Sequence, residues 1–241
     1  MVDLAAPEFR SASQADQRAR LLEVALRMLE ESGPEALQAR RLTAAVGAST
    51  QAVYTLFGGM PGLFEAMVAE GFVRLARQVE AVPETDDPVA DFFSQGWAYS
   101  EWALSRPQLY RLMFGLTGGR LRMHGRLEMT VSGAVAHFPE GQAAADVMVR
   151  SLDRVQAAGR IRPGDTVIAA GQFLSATHGY VLLQLGGAFG DPDEGLQVLT
   201  TLAVNLIVGL GDEREAAERS LEAAMRAAAG SPPGRSTRSR G

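Results

Sequence analysis

The sequence predicts an all-α protein, a three-helix N-terminal head followed by a larger C-terminal helical body, and three observations lead to this. Nearly every segment between Ser13 and Ala229 repeats its apolar residues at helical spacing, and no alternating run is long enough for a sheet. Glycines and prolines stand at the ends of these segments, where helices stop and start. Between residues 39 and 57 two short helical patterns flank a glycine-containing turn, the sequence form of a helix-turn-helix.

The first helix is expected over 13–32, with Ala19, Leu22, Ala25, Leu26 and Leu29 on one face and Gly33-Pro34 as its stop. Two short helices follow at 39–46 and 50–57, and Pro61 opens a longer one that ends at Val82-Pro83. The acidic stretch 83–88 is the expected boundary, separating a head at 13–82 from a body at 88–229. Within the body, helices are expected at 89–105, 107–114, 142–158, 165–185, 193–210 and 212–229, with an irregular, glycine-interrupted segment at 115–141. Residues 1–12 and 230–241 read as a disordered arm and tail.

With 241 residues, 46% hydrophobic and a formal net charge of −5, the composition is that of a soluble globular chain. All 23 basic residues are arginines and there is no cysteine, which excludes a Walker A lysine, a lysine Schiff base, a thiol nucleophile, a cysteine zinc site and disulfides. The three histidines, His124, His137 and His178, have no metal-ligand spacing, and no acid/base pair stands out, so neither a metal, a cofactor nor an enzyme is expected. Residues 1–20 carry acids and arginines where a secretory signal would be apolar, which points to the cytoplasm. The stretches 166–190 and 195–211 hold no charge, but Gln172, His178, Gln184 and Asn205 interrupt them, so no membrane span is expected. A soluble chain must cover such helices on both sides, and a homodimer through the last long helices supplies the second side, with Phe173, Leu182, Leu199, Val204 and Leu206 shared between core and interface.

The helix-turn-helix carries the functional reading. Gly47 supplies a left-handed turn residue and Ser49 a cap for the second helix. With Leu42, Val46, Val53 and Phe57 turned inward, Thr50, Gln51, Tyr54 and Thr55 face out. An uncharged face of hydroxyls, an amide and a tyrosine suits a major groove, where amides pair with adenine edges and hydroxyls reach bases or phosphates. Between residues 36 and 58 the only charges are Arg40 and Arg41, so this segment is basic within an acidic chain. The bland alternative is a structural αα-corner with a polar exterior.

The stretch Val46-Gly47-Ala48-Ser49-Thr50-Gln51-Ala52-Val53-Tyr54-Thr55-Leu56-Phe57, with the first helix and the residues through Phe64, resembles the N-terminal domain of the tetracycline-repressor (TetR) family of bacterial regulators. The resemblance implies that the second short helix reads operator DNA, with Thr50, Gln51 and Thr55 toward bases and Tyr54 toward phosphate. Gln38, Arg40, Arg41, Ser49 and Met60 complete the DNA-facing set. Two positions depart from the family pattern: Thr43 stands where alanine is common, and Met60 where a phosphate-touching lysine is usual. Further on, Ala157-Ala158-Gly159-Arg160-Ile161-Arg162-Pro163-Gly164-Asp165 and Ala176-Thr177-His178-Gly179-Tyr180-Val181 resemble the WHG-type ligand domain of one branch, with Thr177 in place of its tryptophan.

Aromatic residues crowd 92–114, and Phe93, Trp97, Trp102, Tyr110 and Phe114, joined by Phe173 and His178, are the expected wall of an apolar effector site between the helices at 89–105 and 165–185. The expectation is a ligand-responsive, DNA-binding homodimer, a repressor released from a pseudo-palindromic operator by a small apolar or aromatic molecule. The alternative is a helical carrier or enzyme whose head is only structural.

Overall fold

The structure is a computed structural model that describes residues 6–116 and 138–230. Ten α-helices and no strand occur among them: α1 Ala6–Ser32, α2 Ala39–Ala45, α3 Gln51–Phe57, α4 Met60–Glu80, α5 Pro88–Ser105, α6 Pro107–Met113, α7 Pro139–Ala157, α8 Thr166–Leu185, α9 Pro192–Leu210 and α10 Arg214–Gly230. A short 3₁₀ turn, Pro34–Ala36, joins α1 to α2. Most of the expected irregular segment and nearly all of the tail lie outside the described residues. The arm expected at 1–12 is helical from Ala6 onward, because alanine, glutamate and arginine favour a helix and Pro7 sits in its first turn, where no amide is needed.

The chain divides into two compact units. The first holds the residues up to Arg74, with 105–116 and 138–142; the second holds 75–104 and 143–230. The acidic stretch at 83–88 thus lies inside the second unit and α6 inside the first, whereas sequence composition places a boundary at 83–88. That stretch breaks a helix without breaking the packing.

In the first unit α1 packs against α2, α3 and α6. Its inward face is Leu21, Ala25, Leu26 and Leu29; of the other expected residues Ala19 is exposed and Leu22 only half-buried, with Leu21 turned inward instead. Leu42, Val53, Leu63, Met67 and Val68 complete this core, and each is shielded from water. Gly71 lets α4 approach α6 closely, since a Cβ there would lie 2.6 Å from the Met113 sulfur. The Glu30 carboxylate accepts the Leu109 and Gln108 amides at 2.7 and 3.3 Å, satisfying free donors at the start of α6. Burial raises the Glu30 pKa, and those amides with Arg106 and Arg111 only partly pull it back.

The second unit closes around Val89, Phe92 and Phe93 of α5, Leu152 and Val155 of α7, Phe173 of α8, Val204 and Ile207 of α9 and Ala217 and Ala224 of α10. The Phe92 and Phe173 rings meet edge to face with centroids 4.7 Å apart. Helix α9 packs on α8 and α10. It is the one described helix long and apolar enough to cross a membrane, yet Val198 and Leu202 lie exposed beside Asn205 on its outer face.

Candidate nucleic-acid interface and aromatic body

Local sequence sets the α2–α3 elbow. Gly47 takes φ +68°, a left-handed conformation that side chains resist, and the Ala48 amide returns to the Thr43 carbonyl at 2.8 Å. Thr43 is buried, and its hydroxyl donates to the Ala39 carbonyl one turn earlier at 2.9 Å, which explains how a threonine fits where alanine is common. Helix α3 starts without the expected Ser49 cap: its N-cap is Thr50, in helical conformation, and no side chain bonds the first amides. Both hydroxyls are exposed. At the other end Gly58, at φ +74°, stops the helix. Gly62 then brings α4 against α3, because a Cβ there would land on the Phe57 carbonyl oxygen.

Val53 is the fully buried anchor of α3, and Phe57 is half-buried beneath the Arg18 guanidinium, which lies 4.9 Å from its ring centroid. This geometry leaves Thr50, Gln51, Tyr54 and Thr55 exposed, with Tyr54 at 61%. Gln38, Arg40, Arg41 and Ser49 are exposed as well, whereas Met60 is half-buried at the start of α4.

The aromatic residues of 92–114 do not stay together. Tyr110 is fully buried within the first unit, with the Phe114 ring 4.7 Å away and Phe114 edge-on to Phe72 at 5.9 Å. Phe93, Trp97, Trp102, Phe173 and His178 belong to the second unit. Phe93 and Phe173 are core residues there, Trp102 is buried, and Trp97 and His178 are half-buried. Desolvation lowers the His178 pKa, so the imidazole favours its neutral form. Among the described residues no group of three His, Cys, Asp or Glu could hold a metal ion.

Two features escape sequence reading. One is a polar clamp within the second unit. Arg160 binds both Asp212 oxygens at 2.7 Å and Asp87 at 3.3 Å, while the Ser220 hydroxyl donates to Asp87 at 2.7 Å. Asp87 in turn caps α5 by accepting the Val89 and Ala90 amides at 3.1 Å. Asp91 accepts the Thr85 amide and hydroxyl and Arg154. Arg160 lies in a segment singled out by resemblance, but partners so distant in sequence carry no local signal. The other feature is Gln95, buried on α5 with an amide oxygen that no described residue pairs.

Residues 21–67 match the family model "Bacterial regulatory proteins, tetR family", and residues 92–206 match "Tetracyclin repressor-like, C-terminal domain". Among curated proteins nothing matches. A solved protein of unknown function from Rhodococcus sp. RHA1 is 30% identical with a TM-score of 0.67, covering 81% of this chain and 95% of its own. A complex of RolR with resorcinol is 15% identical with a TM-score of 0.59, over 90% and 96% of the two chains. A bacterial regulatory protein in the tetR family from Rhodococcus RHA1 is 18% identical with a TM-score of 0.56, over 81% and 97%. With matched head and body together spanning more than half its length, the chain belongs to the TetR family of bacterial transcription regulators, non-enzymatic proteins that bind DNA.

Proposed function

We propose that the chain is a repressor that holds a pseudo-palindromic operator as a homodimer and leaves it when a small apolar or aromatic molecule binds the body. The observation that carries this reading is the exposed, uncharged face of α3. Thr50, Gln51, Tyr54 and Thr55 lie on one short helix whose other side is anchored by Val53, and side chains held this way suit base edges and phosphates. Gln51 reads a base edge, Thr50 and Thr55 contact bases, and Tyr54, Arg40 and Arg41 bind the backbone. Met60 offers no charge, and the amides at the start of α4 take the place of a basic contact.

The dimer forms through α8 and α9. Val167, Ile168, Leu183, Val198 and Leu202 are each 39–52% exposed, too apolar a set to face water on two adjacent helices. The effector enters beside α5 and α8, where Trp97 and His178 are half-buried. The RolR complex holds a small aromatic molecule, which supports an aromatic effector here. Coupling between effector and operator of about 1–3 kcal/mol changes operator affinity roughly 5–150-fold. The effector must bind the DNA-incompetent state more tightly, since equal affinity for both shifts nothing. The reading places the protein in the cytoplasm, with the DNA. Selection from a pool of random duplexes tests it: enrichment of an inverted repeat supports the proposal, and a pool that stays random overturns it.

A further inference from the structure

We infer that Gln95 is the polar contact of the effector site, and that the effector is an apolar or aromatic molecule bearing a hydroxyl or N–H donor. The inference rests on the proposal that the body binds an effector. Gln95 is only 7% exposed, and its Oε1 meets no donor among the described residues. An amide oxygen removed from water without a partner destabilises the fold, and a methionine of similar length would fill the same space without that cost. No described residue supplies that donor, and a bound effector would.

Its surroundings fit such a ligand. Phe92, Tyr99 and Trp102, all buried, stand three residues before, four after and seven after Gln95, on the same face of α5. The other buried polar groups of this helix are satisfied: Asp91 by Thr85 and Arg154, and Ser100 by donating to the Gly96 carbonyl at 2.9 Å. Gln95 is therefore the single orphan in an aromatic stripe. One residue further round the helix, beside this stripe, there is open space: Gly96 is half-buried and a Cβ on it would meet no atom within 4 Å. Gln184 also has an unpaired buried Oε1 among the described residues, but it sits in a crowded spot, where a Cβ on Gly195 would lie 2.7 Å from that oxygen and 2.8 Å from the Phe189 ring. An acceptor among aromatic rings selects for a phenol, an indole or an amide over its methylated counterpart.

Matched pairs of probes test this on the full-length protein: phenol against anisole, and indole against 1-methylindole, by calorimetric titration of the wild type and of Gln95→Met. The wild type should bind the donor-bearing member of each pair at least tenfold more tightly, and in Gln95→Met the ratio should fall close to one. Without ligand, Gln95→Met should melt at or above the wild-type temperature. Equal binding of the pair members by the wild type, a ratio that survives in Gln95→Met, or no binding of any probe would each overturn the inference. So would a melting temperature several degrees lower in Gln95→Met, which would mean that the amide is bonded for structural reasons. Operator affinity measured on the same samples separates failure of this inference from failure of the DNA-binding reading.

Discussion

Arg160 grips Asp212 through two hydrogen bonds of 2.7 Å, Nε to Oδ1 and Nη2 to Oδ2, and closes a loop of 52 residues within the second unit. Asp212 is almost fully buried and Arg160 largely so, which makes the pair costly to break from one side. Arg160→Met leaves the carboxylate uncompensated and should destabilise the body by about 3–5 kcal/mol. Arg160→Lys should recover little of this, because an ammonium cannot reproduce the two parallel bonds. Denaturant melts of the three proteins check both statements.

The neighbouring Asp87 adds a pH dependence. Burial alone would raise its pKa, but the Ser220 hydroxyl, the Ala90 and Val89 amides and the Arg160 charge outweigh it, and the net shift is downward from 3.8. A carboxylate held low in the folded state contributes stability above its unfolded pKa and loses it as pH falls through the folded value. Asp87→Asn keeps a capping side chain but not the charge. It should melt below the wild type at pH 7, and the difference should shrink as pH falls below about 4. A difference that stays constant down to pH 3 would contradict this role.

The same substitution should act in opposite directions at two glycines. Gly62→Ala drives a methyl into the Phe57 carbonyl and forces α3 and α4 apart, costing at least about 1–3 kcal/mol together with DNA affinity. Gly96→Ala enters open space within a helix and should stabilise by roughly 0.5–1 kcal/mol while narrowing the proposed effector site. Thermal melts of both variants give the two signs.

On the recognition helix, Gln51→Ala should relax preference at one base position and cost about 1–3 kcal/mol on the selected duplex. Tyr54→Phe should weaken every duplex to a similar degree, as loss of a phosphate contact does. Binding titrations against single-position duplex variants distinguish these patterns.

Leu183 and Val198, about half exposed on α8 and α9, test the assembly. Leu183→Arg or Val198→Arg should weaken the dimer at least tenfold, about 1.4 kcal/mol, in sedimentation. Unchanged association in both variants would place the interface elsewhere.

Much of the fold is legible from periodicity because most helices bury a repeating apolar stripe and stop within a few residues of a glycine or proline. Gly47, Val53 and the outward set on α3 follow from local spacing alone. Leu22 misleads because residues 21 and 22 are both leucine, and only packing turns Leu21 inward, which leaves Ala19 exposed. The 83–88 stretch reads as a linker because its acids look solvated, whereas Asp87 is held by Arg160, in the bend after α7, and by Ser220 of α10, both distant in sequence. The aromatic crowding at 92–114 hides a division, since Pro107 starts a new helix whose Tyr110 packs with the first unit. Gln95 has no sequence signature at all. An orphaned oxygen is defined by what fails to come near it.

Sequence-specific binding by the α3 face shows in the ratio of affinities for the selected duplex and a scrambled one at physiological salt. A ratio of at least about 10³ is expected, as specific regulators show over their own non-specific binding. That ratio should collapse toward one when Gln51, Thr50 and Thr55 are replaced together by alanine. Equal affinity of the wild type for both duplexes would contradict it.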